Sequence, residues 1–375
     1  MVVRDKIHLD LSKPLGYHVD LKIVISPRSC GKSTDFWNFA YKKYRQGLHT
    51  LVIRRQPVCI TTTYIKDIER SINKFARRPI NLCFNKGDCK EGIVDVYVGD
   101  DIRDKKKKLF FRVIAASLPT DRVKSSAIDK LCAILFDEFI LNTRQGEKYL
   151  LNEVFRYKEI YTTYIREAVG EVQCFFFGNP YSLYNPYFAW LHIPVQEIHE
   201  GCFLTGKVDG FSWLLWCFKM SDELKAFIQA QNPLTKIEDE YTKYAFDGRA
   251  INDQNIVIIE QQPPNFKQRF IFKLEKQKYM IVYGFDYFKE DGQSITEKLL
   301  ARIAKYDYWC EIVPEVQTSQ TIACFDFQAI EDGTYLLRPS DRAQYTNMLN
   351  AFRFHKIAFK TLEAGYLMEY IYEQL

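Results

Sequence analysis

Short apolar runs and amphipathic stretches alternate over the first 205 residues. Leu21–Ile25, which is rich in β-branched residues, and Thr50–Arg54 resemble strands, and Leu131–Phe136 and Val172–Phe177 are almost continuously apolar. Such runs are typical of strands buried on both faces of a sheet. Because loops and helical patterns separate them, the chain predicts an α/β fold, with a parallel sheet covered by helices on both faces.

The segments between these strands carry helical and hairpin patterns. Apolar residues three and four positions apart predict helices over Phe36–Tyr44 and Ile65–Phe75. Two strand-like runs, Ile93–Val98 and Leu109–Ile114, predict a β-hairpin. Tyr149–Val169 predicts one long helix.

The pattern changes in the second half of the chain. Residues 1–205 form the predicted nucleotide-binding domain, and short, charged helical segments over 206–260 predict a helical linker region. The Pro-Pro pair within Gln261–Asn265 marks a plausible boundary. Residues 261–375, with strands predicted at Phe270–Leu274 and Tyr279–Phe285, would make a small α+β domain.

Composition limits the class of protein. The 375 residues are 47% hydrophobic and 26% charged, so a large core can form and global disorder is excluded. The net charge of +5 permits a nucleic-acid partner without indicating one. Ten cysteines without a CxxC pair favour a reduced intracellular compartment. With no signal-peptide pattern and no apolar run of ~18 residues, we expect no association with a membrane.

A phosphate-binding loop is predicted between the first strand and the first helix. The Walker A pattern G-x-x-x-x-G-K-[ST] is met except at its first glycine, which is Ser26 here. Backbone N–H groups around Gly31 would surround the phosphates of ATP, Lys32 would reach the β- and γ-phosphates, and Ser33 would ligate Mg²⁺. The predicted nucleotide-binding residues are Ser26, Pro27, Arg28, Ser29, Cys30, Gly31, Lys32, Ser33 and Thr34. A chance Gly-Lys-Ser on a surface loop is the alternative, and the flanking strand and helix argue against it.

Polar residues follow two further strands at the edge where open α/β sheets bind ligands. Asp137 would hold Mg²⁺, and Glu138 would orient and polarise the attacking water, as in ATP hydrolases of the additional-strand P-loop class. Asn179 follows the next strand and would contact the γ-phosphate or the water as a sensor. The alternatives are a strand-end acid that caps the next element and an Asn-Pro turn.

Two basic groups are candidates for DNA contact. Arg54 and Arg55 follow the second strand, and the predicted hairpin connection carries four consecutive lysines, Lys105, Lys106, Lys107 and Lys108. Contact with DNA of any sequence is made through its phosphates rather than by reading its bases. For the lysine run, a solvated hairpin tip is the alternative.

These motifs and their order resemble the DNA-packaging motor ATPases of small, short-tailed bacteriophages with protein-capped linear genomes. The resemblance spans roughly residues 20–190. The phosphate loop of that family matches Pro27–Ser33, and its Walker B matches Leu135–Ile140. The other similar segments are Lys124-Ser125, Asn152-Glu153-Val154, Thr163–Arg166, Gly178-Asn179 and Asn185–Phe188.

The resemblance implies a role and a set of partners. It implies a homo-oligomeric ring, a pentamer in the family's manner, that is docked on the portal of an empty capsid in the host cytoplasm. The ring would translocate double-stranded DNA with ATP and Mg²⁺ as cofactors, and a packaging RNA is a partner in part of the family. Arg166 corresponds to the family's arginine finger, and Lys124 to a lysine near its subunit interface. The small carboxyl-terminal domain would resemble an inactive ribonuclease-H-like nuclease.

Three other functions stay open from the residues alone. A helicase or recombinase-type ATPase would share the Walker motifs but respond to single-stranded DNA. A terminase-like protein would have an active nuclease with clustered carboxylates, for which the available residues are Asp286, Glu290, Asp291, Asp326, Glu331 and Asp332. A binding module could use ATP only as an assembly switch, although Glu138 argues against that function.

Overall fold

The computed structural model divides into two compact units, Met1–Ser182 with Tyr187–Ile251 and Leu183–Pro186 with Asn252–Leu375. The residues that the structure describes are 8–104, 107–141, 149–150, 152–166, 168–181, 185–194, 197–231, 257–264, 266–273, 279–285, 306–314, 342–353, 356–361, 364–365 and 368. No helix within these ranges is long and apolar enough to cross a membrane.

Among the residues that the structure describes, helices and strands alternate along the first unit, and strands dominate the second. The helices are α1 (Ser12–Leu15), α2 (Lys32–Tyr44), α3 (Thr62–Asn73), α4 (Asp88–Glu91), α5 (Thr120–Lys124), α6 (Glu153–Ile165), α7 (Pro186–Trp190), α8 (Asp222–Gln231) and α9 (Arg342–Arg353). The strands are β1 (Leu21–Ile25), β2 (His49–Arg54), β3 (Leu82–Cys83), β4 (Ile93–Val98), β5 (Lys108–Ala115), β6 (Leu131–Asp137), β7 (Ala168–Gly178), β8 (Phe203–Val208), β9 (Phe211–Cys217), β10 (Val257–Ile258), β11 (Phe266–Lys273), β12 (Tyr279–Phe285), β13 (Tyr308–Val313) and β14 (Ile357–Phe359).

A nine-stranded sheet forms the centre of the first unit, in the order β3-β4-β5-β2-β6-β7-β1-β9-β8. The six strands from β5 to β9 in this order pair in parallel, whereas β3, β4 and β8 pair antiparallel at the edges. All five residues of β1 are buried. The predicted α/β fold with a parallel sheet is therefore confirmed, since only burial on both faces favours such continuous apolar strands.

The helices pack on the sheet through the apolar stripes that the spacing predicted. In α2 the buried residues are Phe36, Trp37 and Ala40, and in α3 they are Ile65, Ile68 and Ile72. The Thr61 hydroxyl caps α3 by accepting a hydrogen bond of 3.0 Å from the Tyr64 N–H. Capping satisfies one of the N–H groups that a helix start leaves without an intrahelical partner.

Three sequence-based expectations meet their test here. The predicted hairpin is present as β4 and β5, but the long helix predicted over Tyr149–Val169 is wrong at its carboxyl end. The helix ends at Ile165, and β7 begins at Ala168, whose pairing with Leu131 extends the sheet. Likewise, residues 206–208 and 211–217 of the predicted helical linker are strand, because β8 pairs with β9 and β9 pairs in parallel with β1. In both stretches sheet pairing overrides the local pattern.

The second unit contains a five-stranded sheet in the order β10-β14-β13-β12-β11. Both strands predicted in this region are present, as β11 and β12. A small core forms around Phe266, Trp309 and Ala358, and the Trp309 Nε1–H donates a 2.9 Å hydrogen bond to the Ile259 carbonyl. The six carboxylates considered for a nuclease, Asp286, Glu290, Asp291, Asp326, Glu331 and Asp332, lie outside the described residues. The ribonuclease-H-like and domain-boundary expectations stay predictions.

Candidate active site

The loop between β1 and α2 curves around the first turn of α2. Gly31 adopts a φ of 92°, in the left-handed region that glycine enters without strain. A Cβ at this position would lie 3.3 Å from the Cβ of His8, so a side chain would also be crowded. At the start of the loop, the Ser26 N–H donates a 3.2 Å hydrogen bond to the Gly178 carbonyl. The loop is thus attached to the end of the neighbouring strand β7.

Lys32 is the first residue of α2, and its ammonium points across the loop. Nζ donates to the Asn179 Oδ1 at 2.7 Å and to the Ser26 carbonyl at 3.3 Å. Burial lowers the pKa of Lys32, and the nearby charge of Asp137 opposes that shift. The predicted lysine and the predicted sensor are therefore in direct contact, and they follow β1 and β7, which are neighbouring strands in the sheet.

A cavity of about 360 Å³ opens at this edge of the sheet. It brings together the predicted loop and the predicted acids. Its lining consists of Pro27, Arg28, Ser29, Cys30, Gly31, Lys32, Ser33, Thr34, Asp137, Glu138, Phe177, Gly178 and Asn179. Ser26 is the one predicted loop residue outside this lining; it is fully buried, and its hydroxyl donates to the Pro27 carbonyl.

Asp137 and Glu138 lie at the carboxyl end of β6 in different environments. Burial raises the pKa of Asp137, and the Arg54 guanidinium counteracts that shift. Glu138 adopts a φ of 59°, and its side chain is 56% exposed. The next residue rejoins the sheet, because the Phe139 N–H donates to the Phe177 carbonyl at 3.1 Å. The left-handed conformation thus turns Glu138 out of the strand direction, toward the cavity.

Arg54 lies beside the two acids. Contact with DNA would require an exposed side chain, and Arg54 is not a surface residue. Its Nη2 donates to Glu138 Oε2 at 2.7 Å, and its Nη1 donates to Asp137 Oδ2 at 3.3 Å. The guanidinium lies over the Tyr64 ring at 4.7 Å, and the Tyr64 hydroxyl donates to Asp137. The side chain of Arg54 is only 11% exposed. β2 and β6 are adjacent parallel strands, so their ends meet at one edge.

Arg55 is also buried. As for Arg54, the structure corrects its expected position on a DNA-binding surface. It forms a two-point ion pair with Glu153, at 2.8 Å from both Nε and Nη2. Burial alone would lower the pKa of Arg55, but the charge of Glu153 and its hydrogen bonds raise that pKa above its ordinary value. Neither arginine therefore presents its charge to a DNA backbone in this conformation.

The remaining predicted residues that the structure describes lie away from the cavity. Lys105 and Lys106 lie outside the described residues, Lys107 donates to the Ile102 carbonyl at 2.6 Å, and Lys108 is exposed at the start of β5. Lys124 ends α5 and Arg166 follows α6; both are exposed, and neither lines the cavity. Such positions leave them accessible to another molecule.

The oxygen atoms at the cavity fit a magnesium site. The Ser33 hydroxyl and the Asp137 carboxylate both line it, and hard oxygen atoms are the ligands that Mg²⁺ prefers. Magnesium sites in nucleotide-binding proteins usually combine one or two protein ligands with phosphate oxygens. The donor set therefore suits Mg²⁺ bound together with ATP.

Sequence reasoning missed the partners that surround the acids. Tyr64 and Arg54 contact Asp137, and Arg28 donates to the Tyr181 hydroxyl from Nε at 3.1 Å. A signal for Arg54 was present, because its strand ends at the same sheet edge as Asp137 and Glu138. Tyr64 carries no such signal, since it lies in an amphipathic helix where an aromatic residue normally packs in the core.

No family model matches the chain, and no curated protein matches it significantly. Solved structures do match. The gp11 DNA packaging motor of Phi-28 superposes with a TM-score of 0.60 at 14% identity, over 98% of this chain and 97% of that one. The chain has the fold of a packaging motor. The bacteriophage Phi-29 viral genome packaging motor assembly gives the same TM-score of 0.60 at 16% identity, over 98% of this chain and 100% of that one. The packaging-motor fold thus extends over both units.

Proposed function

We propose that the chain hydrolyses ATP and uses the energy to move double-stranded viral DNA into an empty capsid. The observation that carries the proposal is the meeting of Lys32, Asp137, Glu138 and Asn179 around one cavity. They come from three places in the chain, the loop after β1 and the ends of β6 and β7, so their convergence is a property of the fold and not of one local motif. Phosphate binding, cation binding and activation of water need groups of these types at that edge of a P-loop sheet.

The residues divide the reaction among them. N–H groups of the loop around Gly31 bind the phosphates, and Lys32 leaves Asn179 to contact the β- and γ-phosphates. Ser33 and Asp137 would hold Mg²⁺, which would supply positive charge to neutralise the phosphate oxygens. Glu138 accepts the proton of the water that attacks the γ-phosphorus, while the bond to the ADP oxygen breaks. Asn179, released from Lys32, contacts the γ-phosphate.

The motor function is supported by the shared fold. The matched structures are described as DNA packaging motors, and the likeness covers 98% of this chain. By that likeness, the partners are double-stranded DNA, the portal of an empty capsid in the host cytoplasm and further copies of this chain in a ring, which we propose to be a pentamer. The lysine run at Lys105–Lys108 is the remaining candidate for DNA contact, since Arg54 and Arg55 are buried. A packaging RNA stays a further candidate partner.

The proposed site is tested by two substitutions. We expect Lys32→Ala to weaken binding of a fluorescent ATP analogue, because the phosphates lose their cation. Glu138→Gln should keep binding and lower kcat by ~10²–10⁴-fold, since an amide cannot accept the proton. Lys42→Ala is the control, because Lys42 lies on the exposed face of α2. A kcat near that of wild type in Glu138→Gln would contradict the assignment of Glu138 as the group that accepts the proton of the attacking water.

The motor function is tested with nucleic acids and capsids. ATPase activity of the wild-type chain should rise when empty capsids and double-stranded DNA are added together, and less with either alone. Stimulation by single-stranded DNA without capsids would instead indicate a helicase-type enzyme. Cleavage of plasmid in the presence of Mn²⁺ would indicate an active nuclease.

A further inference from the structure

The Arg55 guanidinium donates to the backbone immediately after β6. Nη1 donates to the Glu138 carbonyl at 3.1 Å, and Nη2 donates to the Phe139 carbonyl at 2.8 Å. The same guanidinium also donates, from Nε and Nη2, to the two carboxylate oxygens of Glu153, the first residue of α6. One side chain therefore connects β2, the turn after β6 and the start of α6.

Glu153 is itself fixed by three different donors. Besides Arg55, the Tyr187 hydroxyl donates to its Oε1 at 2.8 Å, and the Leu150 N–H donates to its Oε2 at 2.8 Å. Glu153 is only 3% exposed and Arg55 only 7%. The guanidinium also lies over the rings of Phe136 and Tyr149, at 5.6 and 5.2 Å. Burial and the two rings thus keep water away from the hydrogen bonds between Arg55 and Glu153.

The turn that Arg55 holds contains a strained residue. Glu138 has a φ of 59°, a conformation that costs a non-glycine residue free energy. Such a conformation persists only where the surroundings specify it. Here the carbonyls of Glu138 and Phe139 both accept from Arg55, and the Phe139 N–H donates to β7.

We propose that Arg55 and Glu153 form a positioning pair, which holds the backbone of Glu138 so that its carboxylate faces the γ-phosphate and the attacking water. This inference rests on the proposed ATPase function. Neither residue lines the cavity, so the pair acts through Glu138 and not on the nucleotide. Removal of the pair lowers kcat by about 10²-fold, as expected when a reacting group is displaced by about 1 Å, and leaves ATP binding unchanged.

A buried ion pair that only stabilises the fold would make the same contact with Glu153, so the experiment must separate the two roles. In Arg55→Lys the positive charge remains beside Glu153, but a single ammonium cannot reach Glu153 and both carbonyls. The matched control is Arg112→Lys. Arg112 forms a two-point ion pair with Asp95 at 2.6 and 2.8 Å and donates to the Ser126 carbonyl, on β5 and away from the cavity.

The triple variant Arg55→Met, Glu153→Leu and Tyr187→Phe removes the charges and their buried partner together. Replacement of a buried ion pair by apolar residues of similar size is often neutral for stability. We therefore expect a folded protein that binds a fluorescent ATP analogue within twofold of wild type, with kcat reduced about 10²-fold. Arg55→Lys should lower kcat at least tenfold without a change in KM, and Arg112→Lys should change neither.

Full kcat in Arg55→Lys, or in a triple variant with wild-type melting temperature, overturns the positioning role. If the triple variant does not fold, the comparison of Arg55→Lys with Arg112→Lys decides the question by itself. Failure of the proposed function is a separate result: hydrolysis that survives Glu138→Gln removes the catalytic assignment, whatever the Arg55 variants show.

Discussion

Arg54 is placed where its charge acts on both acids of the site. It lies 2.7 Å from Glu138 and 3.3 Å from Asp137, while burial disfavours the ionised form of Asp137. Since Mg²⁺ binds to the carboxylate and not to the carboxylic acid, Arg54 keeps Asp137 competent at lower pH than burial alone would allow.

The effect on Asp137 predicts a shift in pH dependence. Burial raises the pKa of Asp137 and Arg54 opposes the rise, so Arg54→Ala should raise the pKa further. Protonation then begins at higher pH as the solution is acidified. Magnesium-dependent binding of a fluorescent ATP analogue, measured from pH 8 downward, should therefore be lost at higher pH in Arg54→Ala than in wild type.

The control for that measurement is Arg70→Ala. Arg70 is 71% exposed and pairs with Asp67 on α3, so its loss removes the same charge from the chain without touching the site. An acid midpoint that is the same in Arg54→Ala, Arg70→Ala and wild type would contradict the account of Asp137.

At this scale the sequence predicted which motif residues lie together at the cavity. It did not predict the direction in which the side chains of Arg54 and Arg55 point. Lys32, Asp137 and Asn179 were found because a strand end or a loop places them regardless of detail. Arg54 and Arg55 were interpreted as surface charges, since cations are rarely buried without a partner. Their partners, Glu138 and Glu153, lie more than 80 positions away, and no local pattern indicates such pairing.

Among the secondary-structure elements, β7 connects the two halves of the site. It pairs with β1 on one side and with β6 on the other, and Gly178 is its last residue. A Cβ on Gly178 would lie 2.7 Å from the Ile140 Cδ1 and 2.8 Å from the Phe139 Cε1. The glycine thus allows the segment after Glu138 to pack directly against the end of the strand.

Gly178→Ala is expected to displace that segment. Overpacking of a core typically costs about 1–3 kcal/mol, so the free energy of unfolding in urea should fall by that amount. kcat should fall as well, because Phe139 directly follows Glu138, so its displacement moves the turn that contains Glu138. Gly16→Ala serves as the control, since its nearest contact would be an ordinary 3.5 Å and its φ is negative. Equal free energies of unfolding in the two variants would contradict the tight packing at Gly178.

The element scale also shows where pattern reading ends. Strands that are buried on both faces, such as β1 and β6, were predicted because almost every position is apolar. The stretch around Ala168 was predicted as the end of a long helix, and only the pairing of Leu131 with Ala168 shows that it is strand. A short strand such as β3 has two residues and no pattern of its own; its partner β4 determines it.

For the whole molecule, the exposed position of Arg166 predicts cooperation between copies of the chain. Arg166 follows α6 and does not line the cavity of its own subunit. We propose that it reaches the ATP of a neighbour, where a guanidinium stabilises charge on the γ-phosphate. Lys124, also exposed, would assist from the same neighbour. A mixture of inactive Lys32→Ala and inactive Arg166→Ala proteins should then recover ATPase activity, because some interfaces combine an intact loop with an intact arginine.

The mixture of Lys32→Ala with Glu138→Gln is the matched control. Lys32 and Glu138 line one cavity within one subunit, so no arrangement of the two variants produces more than the residual activity of either. Recovery in the first mixture but not in the second supports action between subunits. If the first mixture stays inactive as well, Arg166 serves its own subunit or plays no part in hydrolysis.

The order of strands in the sheet also governs what happens while the chain is being made. β1 is synthesised first among the strands, yet its neighbours are β7 and β9; Lys22 pairs with Phe175 and Leu214. At ~5–20 residues per second, the ribosome needs on the order of ten seconds to produce the first of these partners. During that interval the Leu21–Ile25 segment has no strand to pair with. Fragments that end before β7 are therefore expected to depend on chaperones, and the proposed nucleotide site can form only after translation has passed β7.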